Sequence, residues 1–174
     1  AEAEPCPELP AAEPCPECEV CPEVLVAEVP FEAQWIASGH ADATAEAFRH
    51  WDEDGAVEAD CATCHSPTGY QDFLGADGSA AGMIDNTHAV SNGLTCVTCH
   101  NDAAAALASV RFPSGVEVTD AGETGRCMVC HQGRASGVGV ETAISDAGMA
   151  ESRDTVSADL RFINIHYYAA AATL

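Results

Sequence analysis

The chain has 174 residues, a formal net charge of −22 and only six lysine or arginine residues, which excludes a nucleic-acid-binding protein because phosphate contacts need clustered cations. Alanine and cysteine supply much of the 47% apolar fraction and only 6% of residues are aromatic, so the side chains alone make a weak core. No apolar run approaches the roughly 18 residues that span a bilayer, and no basic and apolar leader begins the chain, so we expect a mature, exported form without a membrane span.

The first thirty residues are rich in proline and glutamate and show no helical or strand period. This composition predicts an extended tether over 1–30, followed by one folded domain over 31–174. The tether carries four cysteines, and no histidine follows their CxxC spacings: Cys6, Cys15, Cys18 and Cys21. We expect disulfides in an exported segment of this kind, with zinc or an iron–sulfur cluster as alternatives and links between subunits left open.

The remainder is predicted to be mainly α-helix and irregular coil with little β-structure. Helices are expected over 42–51, 102–109, 137–147 and 157–172. One short hairpin is expected where the alternating segments 110–112 and 116–118 flank the turn residues Pro113, Ser114 and Gly115. Because the chain has little regular structure and a weak apolar core, we expect it to fold around a bound group.

Six further cysteines form three copies of the pattern CxxCH: Cys61-Ala-Thr-Cys64-His65, Cys96-Val-Thr-Cys99-His100 and Cys127-Met-Val-Cys130-His131. Two thiols at this spacing can add to the two vinyl groups of one haem, and the adjacent histidine then ligates the iron. Zinc is the alternative, but zinc knuckles pair to close four-coordinate sites, and three Cys-Cys-His units do not pair. The motifs therefore predict three covalent haem c groups in a haem-organised multihaem cytochrome c domain, with His65, His100 and His131 as proximal ligands.

Four other histidines are candidates for the opposite faces of the three irons: His40, His50, His88 and His166. An iron with imidazole on both sides has no open position, which favours electron transfer over substrate binding. Gly39 permits close backbone approach beside His40, and the predicted last helix places His166 on one face with Phe162. Either His50 or His88 could be the spare, and ligation by Met83 or Met149 remains an alternative.

With these residues in view, the chain resembles a family of extracytoplasmic multihaem cytochromes c of the kind found in extracellular electron transfer. The resemblance covers about 35–174 and rests on Ser38-Gly39-His40-Ala41-Asp42, Trp51-Asp52-Glu53-Asp54-Gly55, Phe112-Pro113-Ser114-Gly115-Val116, Cys130-His131-Gln132-Gly133-Arg134 and Ile165-His166-Tyr167-Tyr168-Ala169. It implies closely packed bis-histidine haems, and some relatives polymerise into filaments in which the haems form one conducting chain.

These observations predict an electron carrier that is not an enzyme. It is expected outside the cell or on its surface, with the periplasm as the alternative, because haem attachment of this kind is completed outside the cytoplasm. Its expected partners are redox proteins or extracellular electron acceptors and further copies of itself, in a homo-oligomer or a filament. The alternatives are a multihaem oxidoreductase acting on a small nitrogen or sulfur compound at an open haem site, and a surface protein whose haems only stabilise a weak core.

Overall fold

A computed structural model of the protein describes residues 28–151 and 154–166. Its helices are α1 (Glu32–Ile36), α2 (Glu46–Arg49), α3 (Ala59–His65), α4 (Pro67–Phe73), α5 (Cys96–Cys99), α6 (Asp102–Ala105), α7 (Gly125–His131) and α8 (Gly137–Asp146), with one 3₁₀ turn at Gly122–Thr124. Its strands are β1 (Ala56–Val57), β2 (His88–Ala89), β3 (Ser109–Arg111) and β4 (Glu117–Thr119). The prediction of helix and coil with little β-structure is confirmed. Residues 1–27, which include the four tether cysteines, lie outside the described part.

Helices α3 and α4 are joined through the single residue Ser66. Its backbone is extended, with φ −136° and ψ 132°, because the following Pro67 disfavours a helical residue before it. Pro67 then suits the first turn of α4, and the Ser66 side chain caps that turn by accepting a hydrogen bond from the Gly69 backbone N–H at 3.3 Å. The cap fixes the angle at which α4 packs back onto α3.

Side-chain caps also set the start of α5 and α6. Thr95 and Thr98 form a reciprocal capping box at the start of α5, in which the Thr95 backbone N–H donates to the Thr98 hydroxyl at 3.0 Å. Asn101 caps α6 by accepting from the Ala104 backbone N–H at 2.9 Å. These caps let two helices of four residues each persist next to each other, although isolated helices so short are unstable in water.

The predicted hairpin is confirmed as strands β3 and β4, which pair antiparallel with Val110 opposite Val118. Gly115 adopts φ 85° in the turn, a left-handed conformation that favours glycine. The sequence did not reveal a second antiparallel pair, in which β1 places Val57 opposite His88 of β2. Each of these strands has two residues, too few to show alternation.

Two of the predicted helices are shorter than expected, whereas the helix predicted over 137–147 is confirmed as α8. The helix predicted over 42–51 is present only as α2, because the Asp42 carboxylate accepts hydrogen bonds from both the backbone N–H and the hydroxyl of Thr44 and forms a turn. The helix predicted over 102–109 ends at Ala105, since Ser109 already pairs in β3.

The helix predicted over 157–172 is wrong in the part that the structure describes. Residues 157–166 contain no helix, and Phe162 is 90% exposed. His166 adopts φ 55°, and its backbone N–H donates to the Asn164 side-chain oxygen at 3.0 Å, which stabilises a turn in place of a helix. Residues 167–172 lie outside the described part.

The described core consists of two small apolar clusters. One contains Tyr70, Leu74, Ala104, Val110 and Val129, with Met128 and Cys130 packed against it. The other contains Trp51, Val57 and Ala62, with Cys61, Ile84 and Val90 packed against it. A cysteine of a CxxCH motif thus packs against each cluster, so residues of the first and third motifs lie at the edge of the core.

Candidate haem sites

Each CxxCH motif lies on its own short helix. The first occupies the end of α3, the second α5 and the third the end of α7. On a helical turn, residues at positions i, i+3 and i+4 share one face, so both thiols and the histidine point the same way in α3 and α7. Of the six motif cysteines, Cys96 and Cys127 are exposed, and the other four are partly buried.

His65 is held in an orientation suited to a proximal ligand. Its Nδ1 lies 2.8 Å from the backbone oxygen of Ala47, and a carbonyl oxygen can only accept a hydrogen bond, so Nδ1 carries the proton. Nε2 is then the nitrogen with a free lone pair. Burial lowers the pKa of His65, which favours the neutral imidazole that binds a metal. The Trp51 ring packs beside it, 5.1 Å away between ring centroids.

His166 faces His65 across a gap. The ring centroids are 6.4 Å apart at an interplanar angle of 65°. A metal–imidazole bond is about 2 Å long, so this separation accommodates one metal ion between two nitrogen ligands. The His166 Nδ1 lies 3.1 Å from the Asn164 side-chain oxygen, which leaves its Nε2 with a free lone pair as well. Edge-to-face aromatic packing gives similar distances, but it does not require that both Nδ1 atoms be bonded in this way.

His131 and His40 form a second pair of facing imidazoles. Their ring centroids are 5.9 Å apart, with an interplanar angle of 83°. Burial lowers the pKa of His40, and the neighbouring His131 lowers it further, so His40 is neutral near pH 7. The backbone oxygen of His40 accepts a hydrogen bond from the Leu94 backbone N–H at 2.7 Å, which fixes this loop in place. The structure thus places two of the four candidate distal histidines opposite proximal ones.

The other two candidate distal histidines lie in different surroundings. The His50 side chain is 62% exposed; its Nδ1 lies 3.0 Å from a Glu46 carboxylate oxygen and its ring packs on Trp51. His88 is bonded at both ring nitrogens, since Nε2 donates to the Asp72 carboxylate at 2.9 Å and Nδ1 lies 3.1 Å from the Thr68 hydroxyl. In this placement neither nitrogen of His88 is available to an iron.

His100 of the second motif follows α5, with φ −109° and ψ 71°, and is exposed. In the part of the chain that the structure describes, no other imidazole packs against it. The second motif therefore differs from the first and third, each of which has a facing histidine.

The second cysteines of the first and third motifs meet in the core. The Cys64 and Cys130 thiols are within hydrogen-bond contact, and the Cys130 Sγ also lies 3.5 Å from the Thr63 backbone oxygen as a donor. The hydrogen bond with Cys64, together with burial, raises the pKa of Cys130, while the hydrogen bond with Cys130 lowers the pKa of Cys64. Sequence reasoning missed this contact, because nothing in the spacing of two motifs 66 residues apart indicates which thiols meet.

Tyr70 is a second residue that sequence reasoning missed. Its ring is fully buried in α4, and its hydroxyl donates to the Arg126 backbone oxygen at 2.8 Å, which joins α4 to the third motif. Burial raises the pKa of the Tyr70 hydroxyl, so the side chain remains a protonated donor across the physiological range. Its signal in the sequence was a large aromatic side chain at a helical position, since in a chain so rich in alanine such a side chain is expected to fill the core.

None of the helices placed by the structure is long and apolar enough to cross a membrane. Within residues 28–151 and 154–166, no group of three or more His, Cys, Asp or Glu side chains is arranged to hold a metal ion by itself.

Comparison with known proteins identifies the family. The family described as cytochrome c7 and related cytochrome c matches residues 46–132, half of the chain, and this range contains all three motifs. C-type polyheme cytochrome OmcB from two strains of Geobacter sulfurreducens is 31% identical over 168 aligned residues, covering 76% of this chain and 21% of the relative. The chain thus spans about a fifth of the length of these curated relatives, and no solved structure matches it significantly. The chain belongs to the family of cytochrome c7 and related cytochromes c, which hold haem c covalently and are electron carriers rather than enzymes.

Proposed function

We propose that this chain transfers single electrons through three haem c groups attached at Cys61/Cys64, Cys96/Cys99 and Cys127/Cys130. Membership of the family supports haem c over zinc, and the helical placement of the first and third motifs supports attachment by both thiols of each. His65, His100 and His131 are the proximal ligands in this proposal. When bound, the haem irons supply reversible one-electron redox chemistry.

The observation that carries the proposal is the pair of imidazoles formed by His65 and His166. Hydrogen bonds to Ala47 and Asn164 oxygens hold both rings in the tautomer that offers Nε2 to a metal between them. The facing ring of His40, 5.9 Å from that of His131 between centroids, makes His40 the distal ligand opposite His131. Imidazole on both faces leaves no open position at these two sites, which suits a carrier and excludes a small substrate.

His50 and His88 have different roles in this proposal. His88, bonded at both nitrogens and 13% exposed, is a structural residue that links β2 to α4. The exposed ring of His50 is bonded to Glu46 through Nδ1, which leaves Nε2 for a metal. His50 is therefore the histidine that can still serve as the second imidazole of an iron with only one. The second motif is the site that needs such a ligand.

The cellular setting is part of the proposal. We place the protein outside the cytoplasm, at the cell surface or beyond it, because haem c is attached in that compartment. Its partners are redox proteins or extracellular electron acceptors, and assembly with further copies as an oligomer or filament extends the path. Residues 1–30 act as a tether to the folded domain of 31–174.

Intact mass and visible spectra of the purified protein test the proposal. We expect a polypeptide mass increased by three haem groups that survives denaturation, since thioether bonds are covalent. The reduced protein should show sharp low-spin bands, and carbon monoxide should leave at least the bands of the two paired sites unchanged. A mass equal to that of the bare polypeptide, or zinc in place of iron by elemental analysis, would rule out the proposal.

Replacing His88 by alanine tests its structural role. The change leaves the Asp72 carboxylate, 1% exposed, without its Nε2–H donor, so we expect the free energy of unfolding to fall by about 2 kcal/mol. The low-spin spectrum should not change, because no iron loses a ligand. His50→Ala is the control for stability, since removing an exposed side chain costs less than about 0.5 kcal/mol. A high-spin haem appearing in His88→Ala would instead make His88 a ligand.

A further inference from the structure

The third motif contacts the first motif directly. Helix α7 packs against α3, where the Cys130 Sγ lies 3.5 Å from the Thr63 backbone oxygen. Thr63 immediately precedes Cys64, so an attachment residue of the third site lies beside those of the first. The first and third sites therefore adjoin at their edges.

A second contact ties the third motif to the distal side of the first. Just after α7, the Arg134 backbone N–H donates to the backbone oxygen of Ile165 at 3.4 Å. Ile165 immediately precedes His166, whose ring faces His65. The end of the third motif thus borders the first site on its distal side.

The third motif also contacts the second. The Arg126 guanidinium, in the first turn of α7, donates to the backbone oxygen of Cys99 at 3.3 Å. The buried Tyr70 holds the same turn of α7 from the other side, since its hydroxyl donates to the Arg126 backbone oxygen at 2.8 Å.

The distal side of the third site reaches the second motif as well. His40, which faces His131, accepts through its backbone oxygen from the Leu94 N–H, two residues before Cys96. Gly93 makes this approach possible, since a Cβ there would lie 2.6 Å from the His40 oxygen. The chain that enters the second motif is therefore bonded to the residue opposite His131.

The helices of the first and second motifs are linked through an intermediate element. Helix α4 packs on both α3 and α5, and the Gln71 side chain in α4 donates to the Val97 backbone oxygen at 3.2 Å. The buried ring of Tyr70 belongs to the same helix. Helix α4 therefore spaces the first motif from the second, whereas α7 contacts residues of both.

We propose that the third attachment site lies between the other two, so that an electron passing between the first and second sites crosses the third. The spatial order is then first, third, second, which differs from the order along the chain. The inference rests on the proposed function, since it requires haem at all three motifs. Each transfer oxidises one ferrous iron and reduces its ferric neighbour, so an external donor and acceptor are needed only at the outer sites.

Proton NMR of the fully reduced, haem-loaded protein tests this order without any substitution. Low-spin ferrous haems are diamagnetic, so nuclear Overhauser contacts between substituents of different haems can be assigned. We expect contacts between the third haem and each of the others. A redox titration followed by NMR should also give an interaction potential for each adjacent pair at least about twofold larger than that between the outer pair, because Coulomb energy falls with distance.

The possible outcomes separate this inference from the proposed function. Direct contacts between the first and second haems, with the third touching only one of them, would overturn the order while leaving electron transfer intact. A protein that carries fewer than three haems by intact mass would contradict the proposed function itself. Contacts of the third haem with both neighbours, and the larger interaction potentials that accompany them, would support the order.

Discussion

Replacing His40 or His166 by alanine is expected to convert one haem of three from low-spin to high-spin. Each change removes one imidazole of a facing pair and leaves the proximal histidine in place, so the affected iron gains an open position. Carbon monoxide should then bind to one additional haem per chain compared with the unsubstituted protein. Visible absorption spectra of the reduced protein, recorded before and after carbon monoxide is added, measure the fraction of haem that binds it.

Two comparisons make this experiment specific. His88→Ala should leave the fraction that binds carbon monoxide unchanged, because both ring nitrogens of His88 are bonded within the protein. Adding imidazole to His40→Ala or His166→Ala should restore the low-spin spectrum by filling the vacated position. If neither variant gained a high-spin haem, the proposed ligand pairs would be incorrect even though the haems remained attached.

Gly69→Ala is expected to lower the free energy of unfolding by about 2–3 kcal/mol. Gly69 lies where α4 crosses α3, and an added Cβ would lie 2.5 Å from the backbone oxygen of Ala62 and 2.6 Å from its Cβ. Neither atom can move without displacing α3, which carries Cys61 and Cys64. The intrinsic gain of alanine over glycine in a helix, about 0.5–1 kcal/mol, is too small to offset this clash. Denaturant unfolding of the haem-loaded protein gives the difference.

Gly137→Ala is the matched control for this substitution. Gly137 begins α8, and an added Cβ there would meet no atom within 4 Å. Without a clash, alanine should leave the stability unchanged or raise it by less than about 1 kcal/mol. Equal effects at Gly69 and Gly137 would show that the close contact between α3 and α4 does not constrain the fold.

The sequence predicted the features that depend on local chemistry. The hairpin at Pro113, Ser114 and Gly115 and the helix α8 both follow from turn residues and caps that act within a few positions. The three CxxCH motifs identified the family class for the same reason, since each motif is contained in five residues. Predictions confined to such short segments were confirmed where the structure and the comparisons test them.

Features that depend on distant parts of the chain could not be read from the sequence. Two turns that the sequence analysis missed are local exceptions: the side-chain oxygens of Asp42 and Asn164 each accept from a backbone N–H two positions on, where a helix was predicted. Four histidines of similar local context could not be sorted into ligands and structural residues, because the Asp72 partner of His88 lies 16 positions away. The contact between Cys64 and Cys130 depends on helix packing, which sequence spacing does not encode.

The position of His166 after all three motifs has a consequence for how the protein matures. His40 precedes all three motifs, so the imidazole that faces His131 is synthesised before that motif. His166, in contrast, follows His65 by 100 intervening residues, so the ring that faces the first motif is synthesised after the other two motifs are complete. Under the proposed function, the first motif would therefore be the later of these two to have both of its imidazoles in place.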